Sequence, residues 1–473
     1  MSEEKNKTSV KDVSVVHEGT QIILPIIKGK PMSFDEGIEW MQRKKKEDEA
    51  KVALHNVLPC SPMDGAVALQ KAIAHIYGWS QGVPTPGFFS DRPPVMIRVE
   101  TGVDSSVQVP YGRIEIPGIE GFLQTGIQTE PQTAFVIGGE VKKKHARAVN
   151  EIVDLAREIL KTDSIYKGKA VKVCFDYLDE DGDMCRDYDP LQDSPKFMDL
   201  GNVSDDSLIF GEKVLRDIEI GLFTPIEQTE ACREFGVPLK RGILLYGPYG
   251  TGKTMTAYVA ALKAARNGWT FVYLDQTRDL KKGLQFAAQY APCVIFAEDI
   301  DRAMAGERSV EIDDILNTLD GVDTKGAEII TVLTTNHIEN INPAMLRMGR
   351  LDTLVEVTPP DAKAAERLVK LYSRGLLDEK TDFKKVGAAL AGKIPAFIRE
   401  VTERAKIAAI GRTKGGDIKG KVIEQDILDA ALAMETHENF LKPKEDNVIG
   451  SPEMFVKLPK SADSTRILQK LTK

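Results

Sequence analysis

At 473 residues, 42% hydrophobic and 28% charged, the chain has an ordinary globular composition and length for about three domains. A chain of this size can bury several cores, so it does not depend on disulfides or a structural metal to hold it together. The net charge of -8 runs against a general nucleic-acid binder, and the basic runs Arg43–Lys46 and Lys142–Lys144 have acids nearby and read as solvated faces.

Residues 1–18 read as a mobile polar leader. Ser33 with Glu36 three residues on forms a capping box, which predicts a helix running through Trp40 into the Lys/Glu-rich segment. A second helix is expected over 63–77. The stretch SQGVPTPGFFSDRPP (80–94) is punctuated by Pro and Gly and reads as an ordered loop. From 95 to 140 the runs VMIRVE, SVQVP, GRIEIPG, FLQTGIQ and TAFVIGGEV predict a small β-rich module.

Val149, Ile152, Val153, Ala156, Ile159 and Leu160 then make one helical stripe. AVKVCFDYL (170–178) reads as a strand ending in the acidic segment DEDGDMCRDYD. That segment lacks the alternating spacing and closing Glu of a calcium loop, so it is expected to be a solvated hairpin tip. Residues 190–207 look like a linker.

From about 208, apolar strands alternate with Ala-rich helices, which indicates a parallel α/β sheet. After Pro359 and Pro360 the pattern is helical to about 437, and a polar tail follows with one apolar patch, Met454–Leu458. The expected organisation is thus a leader (1–18), an α+β, β-rich N-terminal domain (19–190), a linker (191–207), an α/β parallel-sheet P-loop domain (208–360), a small helical lid (361–440) and a tail (441–473).

Cysteines 60, 174, 185, 232 and 293 form no CxxC pair and no Cys/His ligand spacing, which suits thiols kept reduced as small core residues. No apolar run reaches membrane-spanning length, and MSEEKNKTSVKDV is too polar for a secretory signal. A cytoplasmic protein is expected.

The chemistry concentrates in four segments. RGILLY (241–246) runs into GPYGTGKT (247–254) and then a helix-forming stretch, the strand–turn–helix context that gives this motif its meaning. Gly247, Gly250 and Gly252 let backbone N–H groups close around phosphate oxygens, and the helix start adds its dipole. Pro248, Tyr249, Thr251 and Met255 belong to the same expected cradle. Lys253 is placed to neutralise phosphate charge and the Thr254 hydroxyl to reach Mg²⁺.

CVIFAEDID (293–301) is a buried strand from whose end Glu298 and Asp299 emerge, one for the magnesium shell and one to polarise the attacking water. EIITVLTTN (328–336) ends at Asn336, a neutral amide able to orient water without adding charge. LRMGRLD (346–352) presents Arg347 and Arg350, which can stabilise charge developing on the γ phosphate, from a neighbouring subunit in a ring.

Residues 208–437, about half the chain, resemble an AAA+ ATPase module of the AAA clade. The resemblance is carried by PLKRGILLYGPYGTGKT, APCVIFAEDID, ILNTLDGV, TTNHIENINPAMLRMGRLD and AGKIPAFIREVTERA. It implies ATP and Mg²⁺ as cofactors and a ring, usually a homo-hexamer, with ATP between subunits. Lys253 and Thr254 then belong to Walker A, and Glu298 and Asp299 to Walker B. Thr254 and Glu298 serve the metal. Asn336 stands at sensor 1, Arg347 and Arg350 are the arginine fingers, and Ala396 falls near sensor 2. Ile209, Phe210 and Gly211 lie about where the family wraps adenine.

Two features depart from the family's usual pattern. Walker B usually ends Asp-Glu, whereas this chain has Glu298-Asp299, so the water-polarising acid is one methylene shorter. Threading members carry an aromatic beside a Gly in their first pore loop; here the segment TRDLKKGLQFAAQY is short, and Phe286 and Tyr290 fit a packed helix. Both features resemble the branch that includes the mitochondrial Rieske-protein translocase. The expected role is a ring that remodels or moves a protein partner bound through residues 19–190. Two alternatives stand beside it: a slow-turnover, ATP-controlled scaffold, and a nucleic-acid motor supported by Lys281 and Lys282. The N-terminal half resembles no recognised family; a recruiting barrel, a ring collar and assembly contacts all remain open for it.

Overall fold

The computed structural model describes residues 13–441, except 18–19, 25, 28–29, 32, 88–89, 131, 176, 179–183, 187–188, 190–192, 276–278, 304–327, 352 and 413–420. The described chain forms two compact units that divide between Ala364 and Ala365.

In the first unit, strands begin earlier than the polar leader suggests: Val13–His17 pairs antiparallel with Thr20–Leu24. The capping box forms as its spacing requires. The Glu36 amide donates to Ser33 Oγ at 3.3 Å, and the Ser33 amide donates to Glu36 Oε2 at 2.9 Å, opening helix Phe34–Glu49. Next comes an unanticipated strand, Lys51–Leu58, at the edge of a five-stranded sheet. It is followed across that sheet by Ala134–Lys142, Gly121–Gln128, Arg113–Glu115 and Gln81–Gly82.

Helix Pro62–Tyr77 buries Leu69 and Ile73, and helix Ala146–Thr162 buries Val149, Ile152, Val153 and Ala156. They join Phe135 and Ile137 of the sheet in one core. Ile159 and Leu160, at the end of the stripe, are half-buried. Around the acidic segment, Tyr177–Leu178 pairs antiparallel with Met184–Arg186, so it is a hairpin; its tip lies outside the described residues.

The second sheet has seven strands in the order Lys196–Phe197, Ala170–Val173, Thr270–Leu274, Cys293–Ala297, Ile329–Thr335, Arg241–Tyr246 and Thr353–Glu356. All neighbours are parallel except the first pair. Cys293–Ala297 and Ile329–Thr335 are buried at every residue, as expected of central strands covered on both faces.

This sheet crosses the boundary expected between an N-terminal domain and a linker. Ala170–Val173 pairs with Thr270–Leu274, and Lys196–Phe197 pairs with Ala170–Val173 in turn. The physical reason is the open edge of Thr270–Leu274, whose N–H and C=O groups need a partner. One apolar core correspondingly runs from Leu58 in the first sheet to Leu351 beside the second.

Helix Leu280–Gln289 shows where the two aromatics of the short segment go. Phe286 is 8% and Tyr290 2% exposed. The Tyr290 hydroxyl accepts from the Ser61 amide at 2.8 Å. Gln289 Nε2 donates to the Thr133 carbonyl at 2.9 Å. The packed-helix expectation for Phe286 and Tyr290 therefore agrees with the structure. Among the described residues Cys60 and Cys293 are buried and Cys174 and Cys232 half-buried, none of the four in a disulfide.

The second unit is helical. Phe383–Leu390, Pro395–Arg412 and Glu424–Leu441 enclose Val386, Leu390, Ile398, Val401, Ala405 and Ile427. Ala396 is exposed at the second position of Pro395–Arg412. The tail from 442 with Met454–Leu458, and the segment ILNTLDGV (315–322), lie outside the described residues.

Candidate phosphate-binding site

Strand Arg241–Tyr246 delivers the chain to the loop at 247, and helix Lys253–Arg266 carries it away. Two glycines are required here for distinct reasons. Gly247 has φ +150°, and a Cβ on it would lie 2.3 Å from the Val357 carbonyl oxygen. Gly252 has φ +105°, and a Cβ there would press on the Phe210 ring at 3.2 Å. Phe210 is thereby seated against the loop, and Ile209 and Phe210 are both buried. A cleft of about 580 Å³ opens beside them, lined by Gly211, Val214, Tyr246, Glu356, Pro359 and Asp361.

Lys253 is 8% exposed, and burial lowers its pKa against the opposing pull of Asp299, Glu298 and Asp301. Its ammonium donates to the carbonyls of Gly247 at 2.8 Å and Pro248 at 2.9 Å, and to Asn336 Oδ1 at 2.7 Å. Asn336 Nδ2 donates onward to Asp299 Oδ1 at 2.8 Å. One continuous chain of bonds thus joins three of the sequence-predicted residues, Lys253, Asn336 and Asp299. Thr254 and Met255 are exposed at the helix start, and the Thr251 hydroxyl closes the loop by donating to the Pro248 carbonyl at 2.9 Å.

Asp299 has φ +52°, in the left-handed region that Asp tolerates better than most side chains. Its amide donates to Thr334 Oγ1 at 3.2 Å, which fixes the turn at the end of strand Cys293–Ala297. Thr335 Oγ1 donates to Asp301 Oδ1 at 2.7 Å. Burial, and after it the charge of Glu298 at the end of the adjacent strand, raise the Tyr273 pKa. Tyr249 reaches from the loop to His337 Nε2 at 3.3 Å, and His337 Nδ1 lies 3.1 Å from Glu339 Oε1.

Motif reading did not single out Thr334, Thr335 or His337, and it placed Tyr249 in the phosphate cradle rather than against His337. The paired threonines before Asn336, and a third acid at Asp301, were the available signals.

The two arginines are placed elsewhere. A Cβ on Gly242, at the start of strand Arg241–Tyr246, would strike the Arg350 carbonyl oxygen at 1.6 Å. Arg350 therefore lies at the opposite end of that strand from Gly247, about 16 Å away at some 3.3 Å per residue. Its guanidinium donates to the Ala344 carbonyl at 2.7 Å. Arg347 is exposed, with Met348 beside it 89% exposed. Ala396 belongs to the second unit.

The arrangement fits a nucleoside triphosphate with a divalent cation: a glycine cradle too tight for side chains, a helix start, and a buried lysine joined through Asn336 to the Asp299 carboxylate, with Glu298 next to it in the chain. Residues 243–359 match the family model described as ATPase family associated with various cellular activities (AAA). The chain is 30% identical over 220 residues to the 26S proteasome regulatory subunit 8 homolog of Schizosaccharomyces pombe, covering 42% of this chain and 54% of that one. It is 27% identical over 278 residues to the proteasome-activating nucleotidase of Saccharolobus solfataricus (54% and 69%). Over 256 residues it is 31% identical to the ATP-dependent zinc metalloprotease FtsH 1 of Conexibacter woesei (48% and 38%). The chain spans only about half the length of the first of these relatives. The loop, the strand-end acids and Asn336 all fall within the matched residues, and the chain thus carries an ATPase domain of the AAA family, whose cofactors are ATP and Mg²⁺.

Proposed function

We propose that this chain is one subunit of a ring-shaped, ATP-hydrolysing assembly that remodels or moves a protein partner engaged through residues 19–190. The observation that carries the reading is the bonded chain Lys253–Asn336–Asp299, which joins the phosphate loop to the strand-end acid.

In this reading Lys253 leaves its carbonyl partners for phosphate oxygens. Thr254 and Glu298 hold the metal, which when bound offsets phosphate charge. Asp299 orients and polarises water while Asn336 keeps its carboxylate aimed. Ile209–Gly211 borders the base. Arg350, whose backbone lies about 16 Å along the strand from its own loop, and the exposed Arg347 serve the nucleotide of an adjacent subunit, and this supports self-assembly. The proteasome-activating nucleotidase among the relatives supports a protein as the partner.

A scaffold with slow turnover is the second reading, favoured by the short Asp299 side chain and by the burial of Phe286 and Tyr290. A nucleic-acid motor has less support, because Lys142 and Lys144 pair with Glu49 and Glu120, and Lys143 lies 3.8 Å from Glu47. Among the described residues no helix is long and apolar enough to cross a membrane.

The test is ATP turnover by purified protein beside Lys253→Ala, with partners captured on Asp299→Asn held in ATP. A loss of about 100-fold or more in Lys253→Ala is expected. Wild-type protein with no Lys253-dependent hydrolysis would sink the ATPase reading. Stoichiometric ATP binding with turnover that no captured protein stimulates would favour the scaffold.

A further inference from the structure

The loop at 247–254 meets the end of strand Ile329–Thr335 through two side-chain contacts, made to consecutive residues. The inner contact is the bond from Lys253 to Asn336 Oδ1 at 2.7 Å. The outer contact joins Tyr249 to His337. The phenol oxygen lies 3.3 Å from Nε2, and the rings meet edge-on, with centroids 5.9 Å apart and planes at 69°. Tyr249 thus lends its backbone to the cradle and its side chain to the strand end.

His337 is held as a fixed post. Its amide donates to Thr335 Oγ1 at 2.9 Å, and that hydroxyl donates onward to Asp301 Oδ1 at 2.7 Å. On the ring, Nδ1 lies 3.1 Å from Glu339 Oε1. A carboxylate only accepts, so Nδ1 carries the proton, and the neutral ring then offers Nε2 as an acceptor. The Tyr249 hydroxyl is its donor, and Glu339 sets the tautomer that this bond requires.

The two contacts differ in what nucleotide does to them. Lys253 gives its donors to the Gly247 and Pro248 carbonyls and to Asn336, so phosphate gains the ammonium only as these bonds are released. The Tyr249 hydroxyl and the His337 ring are not among the groups that cradle phosphate, which are backbone N–H groups and the lysine. The outer contact is therefore the one that stays.

We propose that Tyr249 and His337 are positioning residues for hydrolysis: a clasp that keeps the phosphate loop in register with Asn336 and Asp299 once Lys253 has turned to the nucleotide. The proposal rests on the ATPase reading above, in which Asp299 polarises the attacking water. Asn336, the neighbour of His337, is bonded to Asp299. The clasp thus sets the distance between a γ phosphate held by the loop and a water held by the strand-end acid. Binding needs the loop alone, whereas in-line attack needs loop and strand end together. The clasp accordingly acts on kcat and not on ATP affinity.

The test is Tyr249→Phe, which keeps the edge-on ring and removes only the hydroxyl, beside His337→Ala, the double variant, Glu339→Ala and Glu339→Gln. For each, kcat, KM and the Kd of a fluorescent ATP analogue are measured on full-length protein. Tyr249→Phe is expected to lower kcat about 10-fold, with Kd within about 2-fold of wild type. His337→Ala should lower kcat at least as far, and adding Tyr249→Phe to it should lower it no further. Glu339→Gln, whose amide oxygen still accepts from Nδ1, should recover most of the turnover that Glu339→Ala loses.

A wild-type kcat in Tyr249→Phe overturns the clasp, as does a double variant in which the two losses multiply in full. A loss confined to Kd overturns the positioning role, because it assigns the hydroxyl to nucleotide binding. Wild-type turnover in Glu339→Ala overturns the part given to Glu339. Wild-type protein with no Lys253-dependent hydrolysis sinks this proposal and the ATPase reading together; the other failures leave that reading standing.

Discussion

Removing one hydroxyl, in Tyr290→Phe, tests whether the short segment after Asp275 is bolted into the N-terminal half. Tyr290 is 2% exposed, its oxygen accepts from the Ser61 amide, and its hydroxyl helps hold down the pKa of the buried Asp64. The variant leaves a buried amide without its acceptor, so a loss of about 1–3 kcal/mol is expected near pH 8.

The cost should depend on pH with a definite sign. Burial raises the Asp64 pKa from 3.8 to about 6, while donation from Ser164 and Ile165 and the Tyr290 hydroxyl hold it down. A carboxyl whose folded pKa lies above its unfolded value stabilises the fold most below the unfolded pKa, and that contribution is lost as pH rises through about 6. A gap of roughly two pKa units corresponds to about 3 kcal/mol across that window. Without the Tyr290 donor the folded pKa climbs further, so the variant's deficit should be largest at pH 8 and shrink towards pH 5. Urea midpoints of wild type and variant at both pH values read this directly. A deficit under about 0.5 kcal/mol would refute the buried Ser61–Tyr290 bond, and one that grows on acidification would refute the influence of the Tyr290 hydroxyl on Asp64.

Other substitutions probe the loop and the assembly. Gly247→Ala puts a methyl 2.3 Å from the Val357 carbonyl oxygen, so ATP-analogue affinity should fall at least ~10-fold while far-UV circular dichroism is retained. Unchanged affinity would mean the loop tolerates a side chain there. Arg347→Ala should hydrolyse ATP poorly yet bind it normally. Mixing it with Lys253→Ala should restore part of the turnover, because an intact loop in one subunit then meets an intact arginine in the next. No recovery in mixed assemblies, despite demonstrated subunit exchange, would show that Arg347 acts only within its own chain.

The site's inner members were legible because their chemistry is written in contiguous motifs. GPYGTGKT, the acids after VIFA and the Asn after IITVLTT are each set by a strand and its end, and local periodicity locates those. The capping box of Ser33 and Glu36 was legible for the same reason. Lys51–Leu58 was not, since only Leu58 along it is buried and its alternation leaves no clear apolar face. Lys196–Phe197 is two residues long and is a strand only because a neighbouring edge accepts it. The stacking of Tyr273 on Phe296 was illegible because it depends on cross-strand register, a property of the sheet rather than of either segment.

The strand Ala170–Val173 also decides where this chain can be cut. A fragment beginning at 208 would keep every ATPase motif, yet it would bare the whole hydrogen-bonding edge of Thr270–Leu274, which includes the buried Phe271, Val272 and Leu274. Such an edge, apolar and unguarded, recruits copies of itself. The smallest soluble catalytic piece therefore starts ahead of Ala170, and the so-called accessory half is also the gatekeeper against self-association.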